Sequence, residues 1–221
     1  MRYWSKESFG CGRRLVVLFM MATFFSSPLI AATIPQDDPE EMVRTLSETL
    51  IAKINEQRTE LEAHPEMVKE FADEYVLPYV DTAKMARYVM GRYWRTATDE
   101  QKKGFIQAFS DMLVHSYSKN LLKLQINKVV VKPAREVKKG VVTVASVVTQ
   151  SGGNKTDVVY RAYLNRKTQQ WMLYDISIEG ISMLLNYRKS YGSEISKKGL
   201  DQVITEMAAK NSFIPNNDNS V

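Results

Sequence analysis

The sequence predicts an α+β fold in which a four-stranded antiparallel sheet is covered on one face by several helices. Three observations predict it. Up to residue 124 the apolar residues recur at helical spacing, whereas Val129 to Ile178 reads as short β-branched and aromatic runs separated by turn residues. Within those runs one parity is apolar. Val142, Val144, Val148, Val158, Tyr160, Ala162, Leu164, Met172, Tyr174, Ile176 and Ile178 are even-numbered, while Thr143, Thr149, Asp157, Arg161 and Asp175 are odd. Val141, Val147, Tyr163 and Trp171 keep the odd face from being fully polar. Finally, at Glu179-Gly180 the strand pattern gives way to apolar residues at helical spacing from Ile181, with Ser182 in the N-cap position. Neither a strand nor a helix buries its apolar side alone, so the helix must fold back over the sheet and leave a concave pocket between them.

The chain opens with Arg2, Lys6, Arg13 and Arg14 against one acid, followed by an uninterrupted run, Leu15–Phe25, that is apolar or nearly so. Pro28 and Ala31-Ala32 supply a small-residue exit, so residues 1–32 read as a secretory signal cleaved after Ala32. The run is shorter than the roughly 20 residues that span a bilayer. Cys11, the single cysteine, precedes it and leaves with the signal. An exported chain without disulfides depends on its core, and residues 33–210 are long enough for one domain with a sizeable core. Residues 211–221 read as a disordered tail.

Without the signal, 26 of the 30 basic residues and 24 of the 25 acidic ones stay, so the mature chain is nearly neutral. Its charge is divided along the sequence. Thr33–Tyr75 holds 12 acids and 4 bases, and Val76–Val221 holds 12 acids and 22 bases. The segment with Lys119, Lys123, Lys128, Lys132, Arg135, Lys138 and Lys139 reads either as a solvated face or as one that meets an anionic membrane or an acidic partner. Nucleic acid is not expected, because the chain is exported and its aromatics lie in apolar runs rather than among the bases.

Asp37-Asp38-Pro39 predicts the first helix, with Met42, Leu46, Leu50 and Ile54 as its apolar stripe. A second helix follows Pro65 and ends before Pro78, with Met67, Val68, Phe71 and Tyr75 inward. A third, Thr82–Met90, is closed by Gly91. Thr98 and Gln101 form a capping box for the longest, Asp99–Leu124. Strands are predicted over Val129–Lys132, Gly140–Gln150, Lys155–Asn165 and Gln170–Ile178, as an antiparallel meander. A helix pair, Ile181–Lys197 and Leu200–Lys210, ends the domain.

Catalytic groups are sparse. Gly180-Ile181-Ser182-Met183-Leu184 lacks the second glycine of a nucleophile elbow, and Ser182 already caps a helix. His64 and His115 have no partner at metal or triad spacing. Tyr174 and Asp175, with Glu179, could serve an isomerase-like enzyme, but adjacent strand residues point to opposite faces and so cannot share a cavity. No catalytic or metal-binding residue is therefore assigned. A second alternative is an adaptor whose apolar grooves bind partner helices.

W-x-x-Y-D-x-x-x-E-G-I-S-M from Trp171, followed by K-K-G-L-D-Q-V at Lys197–Val203, resembles the C-terminal signature of the MlaC family, the toluene-tolerance family of periplasmic phospholipid carriers. L-P-Y-V at Leu77–Val80 and G-R-Y-W-R-T-A-T-D-E-Q at Gly91–Gln101 resemble that family's middle helices, in the same order. The resemblance implies a nuclear transport factor-like cone of curved sheet and helices around a deep apolar cavity, with a phospholipid as cargo and no cofactor. It also implies a periplasmic shuttle between an outer-membrane lipoprotein–porin complex and an inner-membrane ABC transporter with a lipid-binding subunit, maintaining outer-membrane lipid asymmetry; the chain itself is expected to be a monomer.

On that basis the cavity wall is expected on the even strand face, with Val144, Val148, Val158, Tyr160, Tyr174 and Ile176. Met85, Val89, Phe105, Phe109 and Met112 are expected to face it from helices, and Ile181 and Leu184 to close its base. Flexible methionines, of which the chain has 11, suit variable acyl chains.

Overall fold

Local sequence signals set the helix starts. The computed structural model describes residues 34–123 and 125–212, without the side chains of residues 118–121, 123 and 212. The expected signal, Leu124 and residues 213–221 lie outside the described residues.

Helix α1 spans Pro39–Ala63; the Asp38 carboxylate accepts from the Glu40 and Glu41 amides, and Pro39 fills the first turn, where no amide hydrogen is needed. Helix α2 (Met67–Tyr75) ends ahead of Pro78, which lies in a single 3-10 turn over Leu77–Tyr79. Asp81 caps α3 (Thr82–Met90) through the Lys84 amide, and Gly91 ends it at φ +55°, a conformation side chains disfavour. Thr98 and Gln101 exchange side-chain-to-amide hydrogen bonds of 3.1 and 3.0 Å at the start of α4 (Asp99–Lys123).

Six strands follow: β1 (Ile126–Val131), β2 (Arg135–Lys138), β3 (Val141–Gln150), β4 (Lys155–Asn165), β5 (Gln170–Ile178) and β6 (Ile181–Ser182). They form one antiparallel sheet in the order β1-β3-β4-β5-β6, with β2 beside β3 past the end of β1. The α+β architecture matches expectation, and the strand number does not. β2 carries no apolar alternation and is exposed throughout; it is a strand because the long β3 offers it an unpaired edge at Val141–Thr143. β6 is the short return strand of a tight turn at Glu179-Gly180. Helices α5 (Met183–Lys198) and α6 (Leu200–Ser212) follow, α6 passing the expected Lys210; the Asn211 side-chain Nδ2 donates to the Ala108 carbonyl at 2.8 Å.

Packing divides the interior into three clusters. Met42, Val43 and Leu46 of α1 lie on Val131, Val142, Val144, Ala162 and Leu173 of the sheet. Met85, Val89, Phe105, Phe109, Leu184 and Val203 join α3, α4, α5 and α6. Ile54, Leu61, Phe71 and Leu122 join α1, α2 and α4. The Asp81 amide donates to the Leu173 carbonyl at 2.8 Å, so the segment before α3 closes part of the β5 edge and brings α3 against Tyr163.

The parity rule breaks within β5. Arg161 pairs with Asp175 but Ala162 pairs with Leu173, so Tyr174 is an extra residue in a β-bulge. From there toward Gln170 the faces exchange. Leu173 rather than Met172 enters the α1–sheet core, and the buried β5 residues are Leu173, Asp175 and Ser177. Tyr174 and Asp175 both turn to the odd side: the Tyr174 ring lies 5.9 Å from Tyr163, and Asp175 lies 3.5 Å from the Arg161 guanidinium. The expectation that neighbouring residues must diverge fails because a bulge lets two residues oppose one.

Candidate functional site: an apolar seam between helices and sheet

The even sheet face is only partly covered by α1. Val144 is fully buried beneath it and Val158 nearly so, while Val148, Tyr160 and Ile176 are half-buried. Leu50 of α1 packs against both the α1–sheet cluster and the α1–α2–α4 cluster, and Val80 packs against both the sheet and helical clusters. Leu50 and Val80 thus join the α1–sheet cluster to the two helical clusters on either side of it.

Within that apolar surround, the Tyr160 hydroxyl sits by Ser47 of α1 and Ser146 of β3. Burial pushes the Tyr160 ionisation up, and Ser47 partly opposes the shift. Ser47 Oγ donates to the Val43 carbonyl at 2.7 Å, and Ser146 is 1% exposed. Neutral hydroxyls place no charge there, so the seam suits hydrocarbon with an occasional polar atom.

The expected wall residues do not form one surface. Met85, Val89, Phe105, Phe109 and Leu184 are packed core of the helical layer, with Met112 and Tyr174 against them. Phe105 and Phe109 stack with centroids 5.9 Å apart, and Tyr187 meets Phe109 edge-on at 5.4 Å. Their helical spacing reported burial rather than contact with a cavity. Ile181, expected to close the base, is 58% exposed, because the Glu179-Gly180 turn carries it outside before Leu184 turns inward. Among the expected residues, Val158 is buried and Val148, Tyr160 and Ile176 are half-buried on the even sheet face.

Sequence reasoning missed the work of Asp175. Only 4% exposed, it accepts from Ser182 Oγ at 2.7 Å and from the Leu184 amide at 3.0 Å, and Ser182 Oγ in turn accepts from the Leu185 amide at 3.1 Å. Both carboxylate oxygens thus hold the first turn of α5 to β5. The readable signal was an acid seven residues before a helix-capping serine, on the strand to which that helix returns. On the same side, Asp81 accepts from the Tyr163 hydroxyl while Lys84 Nζ sits 3.5 Å from the Tyr163 ring centre. Burial lowers the Lys84 ionisation, with Arg87 and Lys138 adding to the effect and Asp81 opposing it.

Lys128, Lys132, Arg135, Lys138 and Lys139 are all exposed, on β1, β2 and the adjoining turns. The side chains of Lys119 and Lys123 lie outside the described residues. A surface depression of about 480 Å³ on α5, open to solvent, is lined by Asn186, Lys189, Ser190, Ser193 and Glu194. Among the described residues no helix is long and apolar enough to cross a membrane, and no group of acids, histidines and cysteines is arranged to hold a metal.

The chain is similar to the intermembrane phospholipid transport system binding protein MlaC of Haemophilus influenzae, with 21% identity over 87% of this chain and 89% of that protein. It is also similar to the toluene tolerance protein ttg2D of Pseudomonas putida, 23% identical over 84% and 83% of the two. Among solved structures, the phospholipid-binding protein from Ralstonia solanacearum, in complex with a phospholipid, matches with a TM-score of 0.72 and 26% identity. That match covers 80% of this chain and 99% of the other, so this chain shares its fold with a protein solved in complex with a phospholipid. The model of the MlaC protein family matches residues 44–209, three quarters of the sequence, and the chain belongs to that family.

Proposed function

We propose that the protein is a periplasmic phospholipid carrier that holds acyl chains along the seam between α1, α4 and the even sheet face. The observation that carries this reading is the correspondence of nearly the whole Ralstonia phospholipid complex with this chain. Physical need supports it. At ~0.8 kcal/mol per buried CH₂, a chain of about 15 methylenes resists transfer into water by on the order of 12 kcal/mol. Two chains roughly double that, so a lipid crossing an aqueous compartment needs both tails enclosed. The head group is cheap to leave in water and costly to bury, which puts it at the mouth.

The carrier is exported by residues 1–32, works as a monomer, needs no cofactor, and exchanges lipid with an outer-membrane lipoprotein–porin complex and an inner-membrane ABC transporter, maintaining outer-membrane lipid asymmetry. Exposed bases at Lys128, Lys132, Arg135, Lys138 and Lys139 form its docking surface. Engagement of both Asp175 oxygens by α5 favours a non-catalytic reading over an isomerase-like one.

Native mass spectrometry and organic extraction of the purified protein test the reading. Phospholipid near one molecule per chain is the expected result. A clean lipid-free mass with no uptake from vesicles would instead point to an adaptor.

A further inference from the structure

Among the described residues, the exposed isoleucine and leucine side chains gather at one turn. Ile181 is 58%, Leu185 50% and Ile178 38% exposed. Ile178 and Ile181 pair across the Glu179-Gly180 turn, and Leu185 follows one helical turn later. The next exposed position on that stripe of α5, Arg188, sets its guanidinium 4.8 Å from the ring centre of Tyr88, itself 37% exposed on α3. Arg188 also lies against Gly91, beside exposed Arg92, whose guanidinium donates to the Tyr93 hydroxyl at 2.8 Å. Among the described residues no carboxylate forms an ion pair with Arg92 or Arg188. The acid at the turn, Glu179, is directed back, accepting from the Asp157 amide at 2.7 Å.

We propose that Ile178, Ile181 and Leu185, backed by Tyr88, Arg188 and Arg92, form a membrane-contact face that enters the head-group layer of an anionic bilayer. Apolar side chains at the leading edge, a tyrosine at their border and unpaired guanidinium groups behind them match the order of acyl boundary, interface and phosphates. A bilayer supplies anionic oxygens wherever these cations land, so no particular acidic partner is needed. The face is separate from the lysine-rich β1–β2 surface. It deepens the carrier reading, which requires a membrane at each end of the journey, and is tested by binding rather than by cargo.

The test is sedimentation of the purified protein, expressed from the whole sequence and processed by the cell, with vesicles. Vesicles of three parts phosphatidylethanolamine to one part phosphatidylglycerol are expected to carry it down at low salt, and phosphatidylcholine vesicles to leave it in solution. The Ile181→Ser/Leu185→Ser double variant is expected to bind about tenfold more weakly, and Arg188→Gln about fivefold. Val130→Ser/Val137→Ser removes comparable exposed apolar surface from β1 and β2 and should bind like the wild type. The proposal is overturned if the wild type ignores anionic vesicles, if the double variant binds equally, or if the control pair loses as much. It falls too if crosslinking shows this face covered by a protein while vesicles go unbound. Extracted lipid per chain, unchanged in the double variant, keeps this result distinct from the carrier reading.

Discussion

Asp175 gives both carboxylate oxygens to the start of α5, so one residue decides where that helix begins. Replacing it by Ala strands the Leu184 amide and the Ser182 hydroxyl away from water, a loss of about 2–3 kcal/mol in urea unfolding, whereas Asn keeps one acceptor and should lose about half that. Ser182→Ala, which removes the cap but leaves Asp175 to the Leu184 amide, should cost about 1 kcal/mol. An unchanged midpoint in Asp175→Ala would show that α5 is held by packing alone. Two tyrosines contribute most to the alkaline limit. Burial first, and then the 2.7 Å hydrogen bond with Tyr117, raise the Tyr187 ionisation; burial and the Asp81 carboxylate do the same for Tyr163. In the unfolded chain tyrosine loses its proton near about pH 10. Above that pH the folded state binds more protons than the unfolded, so stability is whole below about pH 10 and falls as pH climbs further. Tyr187→Phe should make that fall shallower, which denaturation midpoints taken from neutral to strongly alkaline pH would check.

At the scale of elements, glycine separates turn from helix. Gly180 adopts φ +77° in the two-residue β5–β6 turn with open space around it, so conformation alone opposes a side chain there. Gly192 lies within α5, also with nothing near it, at a φ that side chains accept. The same change should then act in opposite directions: Gly180→Ala destabilises by about 1 kcal/mol, and Gly192→Ala stabilises by about 0.5–1 kcal/mol. Thermal midpoints moving the same way in both would refute the assignment. Helix starts were legible in the sequence because the capping groups are local: Asp38, Asp81, Thr98 with Gln101, and Ser182 each satisfy amides within four residues. The β5 bulge was not, because Tyr174 is as good a strand former as its neighbours. Only the pairing with β4 shows that one residue is extra. From that residue onward parity misassigned Met172 and Leu173, while in β3 and β4, free of bulges where they pair, parity held. β2 was missed for a related reason, since its pairing comes from the free edge of β3 and not from its own pattern.

For the whole molecule, the distinction that matters is between apolar surface that is packed and apolar surface that is available. Helical spacing in Phe105, Phe109 and Met85 looks the same in a sequence whether a helix faces core or cargo, and here it faces core. The same distinction selects the pocket probe. Val144 is fully buried under α1, so Val144→Asp puts an unpaired charge into close packing and should unfold the protein, giving no information on cargo. Val148, half-buried on the same face, is the informative site: Val148→Asp should fold, by circular dichroism, and retain several-fold less co-purified phospholipid than the wild type. Lipid retained at wild-type level would move the tails away from the seam. Docking should respond to different residues. Lys128 on β1 and Lys132 just past its end are exposed, away from α1's covered face, so Lys128→Glu/Lys132→Glu should leave the lipid content unchanged. Because long-range charge attraction governs encounter more than retention, the double reversal should slow lipid handover to the membrane-bound partners, and raised salt should slow the wild type while affecting the variant less. Transfer that is independent of salt and indifferent to both lysines would make the basic segment a solvated face. The acid-rich stretch of α1 and α2 would then be the charged surface left for docking.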